Sequence, residues 1–333
     1  MRRPSDDVNS LCLKIVVETQ DMEVQPAVSF VIETYNLGEG TAQNQFLSAL
    51  KAATIAARGC GGEVIVVDVC GDPEIAAIIA KSGVSVRVVE AVDLSYDDAK
   101  MKAAVEARGD VIVYLDSDCE PEGSWHLELL AALKSHPDKA GVGGFTRYAG
   151  KGVIPALMSV MDFGFLFPVR ERPIACYAFN NAAFHRRTLI DCPISRGPVR
   201  CGCFAHAQEL LRRGMPMILA PRARVFHDLP PIFRERTRQG YDTIGACWAN
   251  SRLPEARWLR LGILSVPLFY SLRVVLDWKR LGVGFRDLGL SLPGLCLALA
   301  LAPLLRLLDI YGMIRAFAVG KEAPAWGGVA FGE

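Results

Sequence analysis

Asp110-Val-Ile-Val-Tyr-Leu-Asp-Ser-Asp118 is the stretch whose reading decides the fold. Residues 111–115 are apolar or aromatic and mostly β-formers, with Arg108-Gly109 before them and Cys119-Glu-Pro121 after, so the run reads as a buried strand that meets a loop. Two carboxylates emerge at its carboxyl end, the edge at which an open α/β sheet binds its ligands. Residues two apart in extended chain point to the same side, so Asp116 and Asp118 are expected to converge on one object while Ser117 faces away. Hard oxygen donors of this kind suit Mg2+ or Mn2+ carried with phosphates. By itself the tripeptide reads equally as a strand-end turn with an aspartate cap.

The same rhythm extends toward the N-terminus. Pro26-Ala-Val-Ser-Phe-Val-Ile-Glu-Thr-Tyr-Asn36 is a β-rich run ending in a polar turn, and residues 41–57 read as a helix with Phe46, Leu47, Leu50 and Ile55 in its apolar set. Gly38 and Gly40 are too little for a phosphate-cradling loop and mark a turn. Residues 63–69 form a second expected strand with Asp68 near its end, 73–81 a helix, and 84–90 a third strand. Ser95-Tyr-Asp-Asp98 starts a helix in the manner of a capping box. Strands alternating with helices predict parallel βαβ units with right-handed crossovers, hence a doubly wound α/β domain with Asp68 and Asp116 on one edge. Beyond Asp118 the pattern loosens: a helix at 122–135, a strand at 141–148, an apolar stretch at 153–169, a helix at about 204–213 and an apolar run at 215–227. This half is expected to receive a second substrate.

Composition bounds the reading. The 333 residues suffice for one large domain and an appendage. With 37 Lys+Arg against 36 Asp+Glu there is no charge bias toward nucleic acid. The 10 cysteines are scattered without zinc or redox spacing, and reduced thiols are expected. Residues 1–25 form an N-terminal extension without the features of a signal peptide, which predicts that the bulk of the protein stays in the cytoplasm. Mean hydropathy is +0.24, with the apolar excess in the last third.

In this order, the pieces resemble the family 2 glycosyltransferases, inverting enzymes of the GT-A fold. The resemblance covers roughly residues 26–227 and rests on Thr34-Tyr35-Asn36, Asp68, Ala107-Arg-Gly-Asp110, Asp116-Ser-Asp118, Asn180-Asn-Ala-Ala-Phe184 and Arg212-Arg-Gly-Met-Pro-Met-Ile-Leu-Ala-Pro-Arg-Ala-Arg-Val-Phe-His227. It implies a GT-A domain over 26–230 that binds a nucleotide-diphosphate sugar donor. Thr34, Tyr35 and Asn36 would line the base and ribose, Asp68 would accept a hydrogen bond from the base, and Lys100 or Lys102 would face the nucleotide. Asp116 and Asp118 would hold Mg2+ or Mn2+ on the diphosphate, Asp118 more directly, and His227 would approach the metal. Asn180 and Asn181 would contact acceptor or sugar, although the pair also reads as a turn.

The resemblance further implies a catalytic carboxylate in an acidic pair about a dozen residues before Gly214. This chain departs there, reading Arg200-Cys-Gly-Cys-Phe-Ala-His-Ala-Gln-Glu209. Glu209 and His206 are the nearby titratable groups and hence the catalytic candidates, each with a plain helix-surface or polar-helix reading beside it. Two alternatives of other classes are a non-catalytic sugar-nucleotide-binding subunit of a membrane assembly and a nucleotidyltransferase; the lack of a glycine-rich basic loop counts against the latter.

Residues 231–257 read as a connecting segment and 258–333 as a hydrophobic, membrane-associated helical region. Residues 288–305 hold no charge and just reach the length of a membrane span, while 259–276 are interrupted by Arg260, Pro267 and Arg273. Lys279, Arg280 and Arg286 between the two runs go against the positive-inside tendency of a simple hairpin, so an interfacial pair at the cytoplasmic face is as consistent as two spans. A buried helical hairpin in a soluble protein is the third reading. The tail favours a lipid-linked or glycan acceptor.

Overall fold

The computed structural model describes residues 26–35, 43–194, 202–249 and 253–320. Asn36, the Gly38 turn, Arg200 and the N-terminal extension lie outside the described residues.

The first half follows the expected alternation: β1 (Val28–Glu33), α1 (Gln43–Cys60), β2 (Glu63–Asp68), α2 (Pro73–Ser82), β3 (Arg87–Glu90), α3 (Tyr96–Glu106) and β4 (Val111–Asp116). Ser95 caps α3, its Oγ accepting from Asp98 N at 3.2 Å. These strands lie in the order β3-β2-β1-β4, all parallel, and the register sets Glu33 beside Asp116. Alternate residues feed two cores. Val31, Ile65, Ile112 and Tyr114 pack on the face covered by α3, whereas Phe30, Val64, Val113 and Leu115 pack against α1.

The second half adds β5 (Cys119–Pro121), α4 (Trp125–Ser135), β6 (Gly141–Tyr148), α5 (Val153–Phe163), β7 (Pro173–Ile174), β8 (Asn181–His185), α6 (Arg186–Asp191), α7 (Gly202–Arg212) and β9 (Met217–His227). The sheet is mixed, not parallel throughout: β8 runs antiparallel to both β4 and β6, and β9 is parallel to β6. The expectation of parallel units therefore holds only as far as β4. A register shift follows Gly144 in the β6–β9 ladder, where Asn181 Nδ2 donates to Phe145 O at 3.3 Å and Ala223 O at 2.9 Å. A side chain at Gly144 would collide with that amide.

The C-terminal elements are α8 (Ile232–Ala249), a 3-10 segment (Pro254–Ser265) kinked at Gly262, α9 (Val266–Gly284) and α10 (Leu292–Val319). The stretch read as a connector is thus largely a helix. Where α8 and α10 cross, the helices meet through glycine: a Cβ at Gly240 would strike Asp309 O, and one at Gly312 would strike Thr237 O. Glu255–Gly284 and Leu292–Val319 are long and apolar enough to cross a membrane. The apolar run expected to end at Leu305 continues as helix past Arg306 and Asp309 because both charges are buried and paired, Arg306 Nη1 with Asp309 at 2.6 Å and Arg306 Nε with Asp277 at 2.7 Å.

Candidate functional site

The carboxyl ends of β1, β2 and β4 carry the residues expected to meet a nucleotide. Thr34 Oγ1 donates to Asp68 Oδ1 at 3.2 Å and accepts from Val69 N at 2.9 Å, while Asp68 Oδ1 also accepts from Cys70 N and Gly71 N. These bonds tie the ends of β1 and β2 together. The half-buried Tyr35 ring stands edge-on to Tyr96, 5.9 Å between centroids.

The closest partners of Asp116 and Asp118 differ, although both carboxylates act on Glu33, Cys119 and His227. β4 stops at Asp116 and the chain turns, so the alternation of extended backbone no longer relates the two side chains. Asp116 faces the α3 side, where Lys100 Nζ reaches it at 2.5 Å and Tyr96 Oη donates to its carboxylate at 2.9 Å. Lys100 is fully buried; burial works against its charge, but Asp116 and Glu33 outweigh that and raise its pKa. Glu33, also buried, stands 3.8 Å from Lys100 Nζ, and burial pushes its carboxyl up to about 8. Lys100 is thus a structural counter-ion beneath the site. Lys102 points elsewhere, its Nζ donating to Glu90 O.

Asp118 is brought to His227 by the pairing of β5 with β9, in which Cys119 lies opposite His227. His227 Nε2 is 3.2 Å from Asp118 Oδ2, and Nδ1–H donates to Asp228 O at 2.8 Å. That second bond leaves Nε2 as the nitrogen facing the carboxylate: protonated it donates to Asp118, and with a cation in place of that proton it would offer its lone pair as metal-binding histidines do. Cys119 Sγ lies close enough to count as a third donor, but burial first and then Asp118 push its thiol pKa well up. The fitting donors for a hard divalent cation are therefore Asp118 and His227. Asp118 borders a cavity of about 190 Å³ whose walls include Asn44, Gln45, Glu120 and Asp228.

The catalytic expectation on His206 and Glu209 is corrected. His206 is buried in α7; Nε2–H donates to Cys192 O at 2.8 Å and Nδ1 accepts from Tyr177 Oη at 2.7 Å, so both nitrogens are used by the core. Glu209 sits on the outer face of α7, gripped by Arg212 at 2.6 Å and Arg213 at 2.7 Å, whose hydrogen bonds hold its carboxyl down to about 2. Asn180 and Asn181 are likewise buried; Asn180 Oδ1 accepts from Thr146 Oγ1 at 2.8 Å, and Asn181 holds the strand irregularity described above. Sequence reasoning missed Tyr96, Glu33 and Asp97. A glutamate in an otherwise apolar strand was the visible signal for Glu33; the other two needed the contact between helices. Gly202, the first residue of α7, has no room for a side chain, because a Cβ there would collide with the carboxylate of Asp97 from α3.

His206 also yields a pH prediction. Burial pushes its imidazole down to about 4 from an ordinary 6.5. Between those values the unfolded chain binds the extra proton, so this contribution is complete above about pH 6.5 and is lost as pH falls toward 4, by ~3 kcal/mol. Urea unfolding across that range should show the loss, and His206→Gln should flatten this limb.

Residues 29–192 match the family described as glycosyl transferase family 2. Among solved structures, the chain is similar to the mannosyltransferase PcManGT from Pyrobaculum calidifontis in complex with GDP-Man and Mn2+, at TM-score 0.54 and 17% identity over 92% of this chain and 88% of that one. It is also similar to glucosyl-3-phosphoglycerate synthase from Mycobacterium tuberculosis in complex with phosphoglyceric acid (TM-score 0.45, 18% identity, 67% and 78% covered). A third is GalNAc-T7 with UDP, GalNAc and Mn2+ (TM-score 0.45, 16% identity), where 62% of this chain covers only 43% of that one. No curated protein matches. At 17% identity the first likeness establishes a shared fold.

Proposed function

We propose, for a chain whose residues 29–192 form a glycosyl transferase family 2 domain and which is therefore a glycosyltransferase, that it moves a sugar from a nucleotide-diphosphate donor to a lipid-linked or glycan acceptor with inversion. The observation that carries the metal-dependent part is the approach of His227 Nε2 to Asp118 with Nδ1 engaged by the Asp228 carbonyl behind it. Asp118 and His227 would hold Mg2+ or Mn2+, which when bound neutralises the charge developing on the leaving diphosphate. PcManGT, which shares the fold, was solved with GDP-Man and Mn2+, and this supports the choice. Asp116 then serves less as a ligand than as the anion that, with Lys100 and Tyr96, holds the end of β4 in place. Thr34, Tyr35 and Asp68 remain the groups for the nucleotide.

Inverting transfer needs one base to take the acceptor's proton. Where the family resemblance leads one to expect a carboxylate at the start of α7, this chain has Gly202, and the carboxylate of Asp97 fills the space. We assign the base to Asp97, supplied from α3 instead of α7. Asp97→Asn is expected to lower kcat by about a hundredfold while leaving the donor KM unchanged. Steady-state kinetics with Mn2+ and a panel of sugar nucleotides test this; an unchanged kcat removes Asp97 from the chemistry. A non-catalytic subunit is not favoured, since family membership supports transfer.

A further inference from the structure

The amphipathicity of α10 is inverted relative to a helix on a water-soluble surface. Of its charged residues, Arg306 and Asp309 are buried and Arg315 is half-buried over the Tyr311 ring, whereas none of its exposed residues carries a charge. Leu292 is 67% exposed, Leu297 51% and Leu304 58%, and Leu307, Tyr311 and Ile314 continue the stripe at helical spacing. α9 presents Leu268, Val275, Trp278 and Val283 in the same manner. A stripe of this length on a soluble surface calls for a covering partner.

The inward face shows how that partner must lie. Arg306 donates to Asp277 through Nε at 2.7 Å and Nη2 at 2.9 Å, to Asp309 at 2.6 Å, and to Met161 O of α5 at 3.3 Å. Asp162, next along α5, pairs with Arg236 of α8, which in turn lies 3.7 Å from Asp309. Arg306 stands near the midpoint of a 28-residue helix about 42 Å long at the usual rise. If α10 crossed a hydrocarbon layer about 30 Å thick, its midpoint would carry α5, and with it the catalytic sheet, into the lipid. Laid flat, the hairpin keeps its charges against the protein and offers only its apolar stripe.

The charges at the margin match one occupant. Within residues 255–319, Arg257, Arg260, Lys279 and Arg286 are exposed, while no aspartate or glutamate is. We propose that the exposed face of the α9–α10 hairpin lies in the plane of an anionic lipid bilayer, the apolar stripe entering the acyl boundary and these basic residues meeting lipid phosphates. This fixes the orientation of the membrane association considered above and does not depend on the identity of donor or acceptor.

Flotation of the full chain with vesicles of phosphatidylcholine and phosphatidylglycerol in equal parts, and of phosphatidylcholine alone, tests it. The expected result is binding that is stronger to the anionic vesicles. Leu297→Glu with Leu304→Glu should reduce it at least tenfold without moving the thermal midpoint. Lys279→Glu with Arg286→Glu should weaken anionic-vesicle binding by roughly tenfold or more, on about fivefold per basic residue. In a chain with all 10 native cysteines replaced, Arg286→Cys should react with a membrane-impermeant maleimide on sealed vesicles without lysis. Labelling only after lysis would mean that the hairpin spans and would overturn the proposal. So would a chain that ignores vesicles and forms a stable dimer broken by Leu297→Glu with Leu304→Glu, since a second copy would then cover the stripe. Flotation is read without sugar nucleotide, so a failure of transfer and a failure of docking are separately visible.

Discussion

Replacing Asp118 by alanine is expected to lower Mn2+-dependent sugar transfer by about a thousandfold, the scale set by losing one preorganised group that meets developing charge. The reason is local. Asp118 and His227 are the two hard donors that the β5–β9 pairing brings together, and His227 by itself offers a single nitrogen. The same variant should lose most of its Mn2+ affinity, read by electron paramagnetic resonance, while its thermal midpoint stays near that of the parent, because Asp118 sits at the cavity wall and not in the core. Retained Mn2+ affinity and retained transfer would move the metal site away from this pair. Activity with a panel of sugar nucleotides also separates transfer from mere donor binding.

Replacing Arg306 by alanine is expected to destabilise the fold by ~3–5 kcal/mol, the cost of leaving buried carboxylates without their counter-ion. Asp277 would keep only Arg280, at 4.0 Å, and Asp309 would keep Arg236 and Arg273 at 3.7 and 3.9 Å. The thermal midpoint should fall by roughly 4–7 °C for a chain of this size. Arg306→Lys should recover only part of this, because one ammonium cannot reproduce the guanidinium fork that serves Asp277, Asp309 and Met161 O together. A midpoint that does not move would mean that the hairpin is dispensable to the folded body, contrary to its packing against α5 and α8.

The legible part of the site was its strand ends. Thr34, Asp68 and Asp116 could be placed on one sheet edge because period-2 burial and βαβ rhythm are written locally, and the Ser95 cap announced α3. The partners of those residues were not legible. Lys100, expected with Lys102 as a lysine facing the nucleotide, becomes the buried counter-ion of Asp116 once α3 is laid on the sheet. His206 had the titratable chemistry of a catalytic group, and only its two core hydrogen bonds remove it from that role. The base position was the sharpest case: the chain carries a glycine where a carboxylate was sought, and the carboxylate that fills that space comes from about a hundred residues earlier.

The sequence by itself determined the class of fold, the match of residues 29–192 to glycosyl transferase family 2, and the apolar character of the tail. Each depends on residue type and near-neighbour spacing, which the chain displays directly. Tertiary structure decided what depends on contacts across long separations: that Asp116 takes Lys100 and Tyr96 as its nearest partners, that His227 turns Nε2 toward Asp118, and that Arg306 and Asp309 of α10 face inward. Pairing energies of buried charges are strong only where water is excluded. Which charges are excluded from water is a property of the packed helices and sheet, not of any one segment.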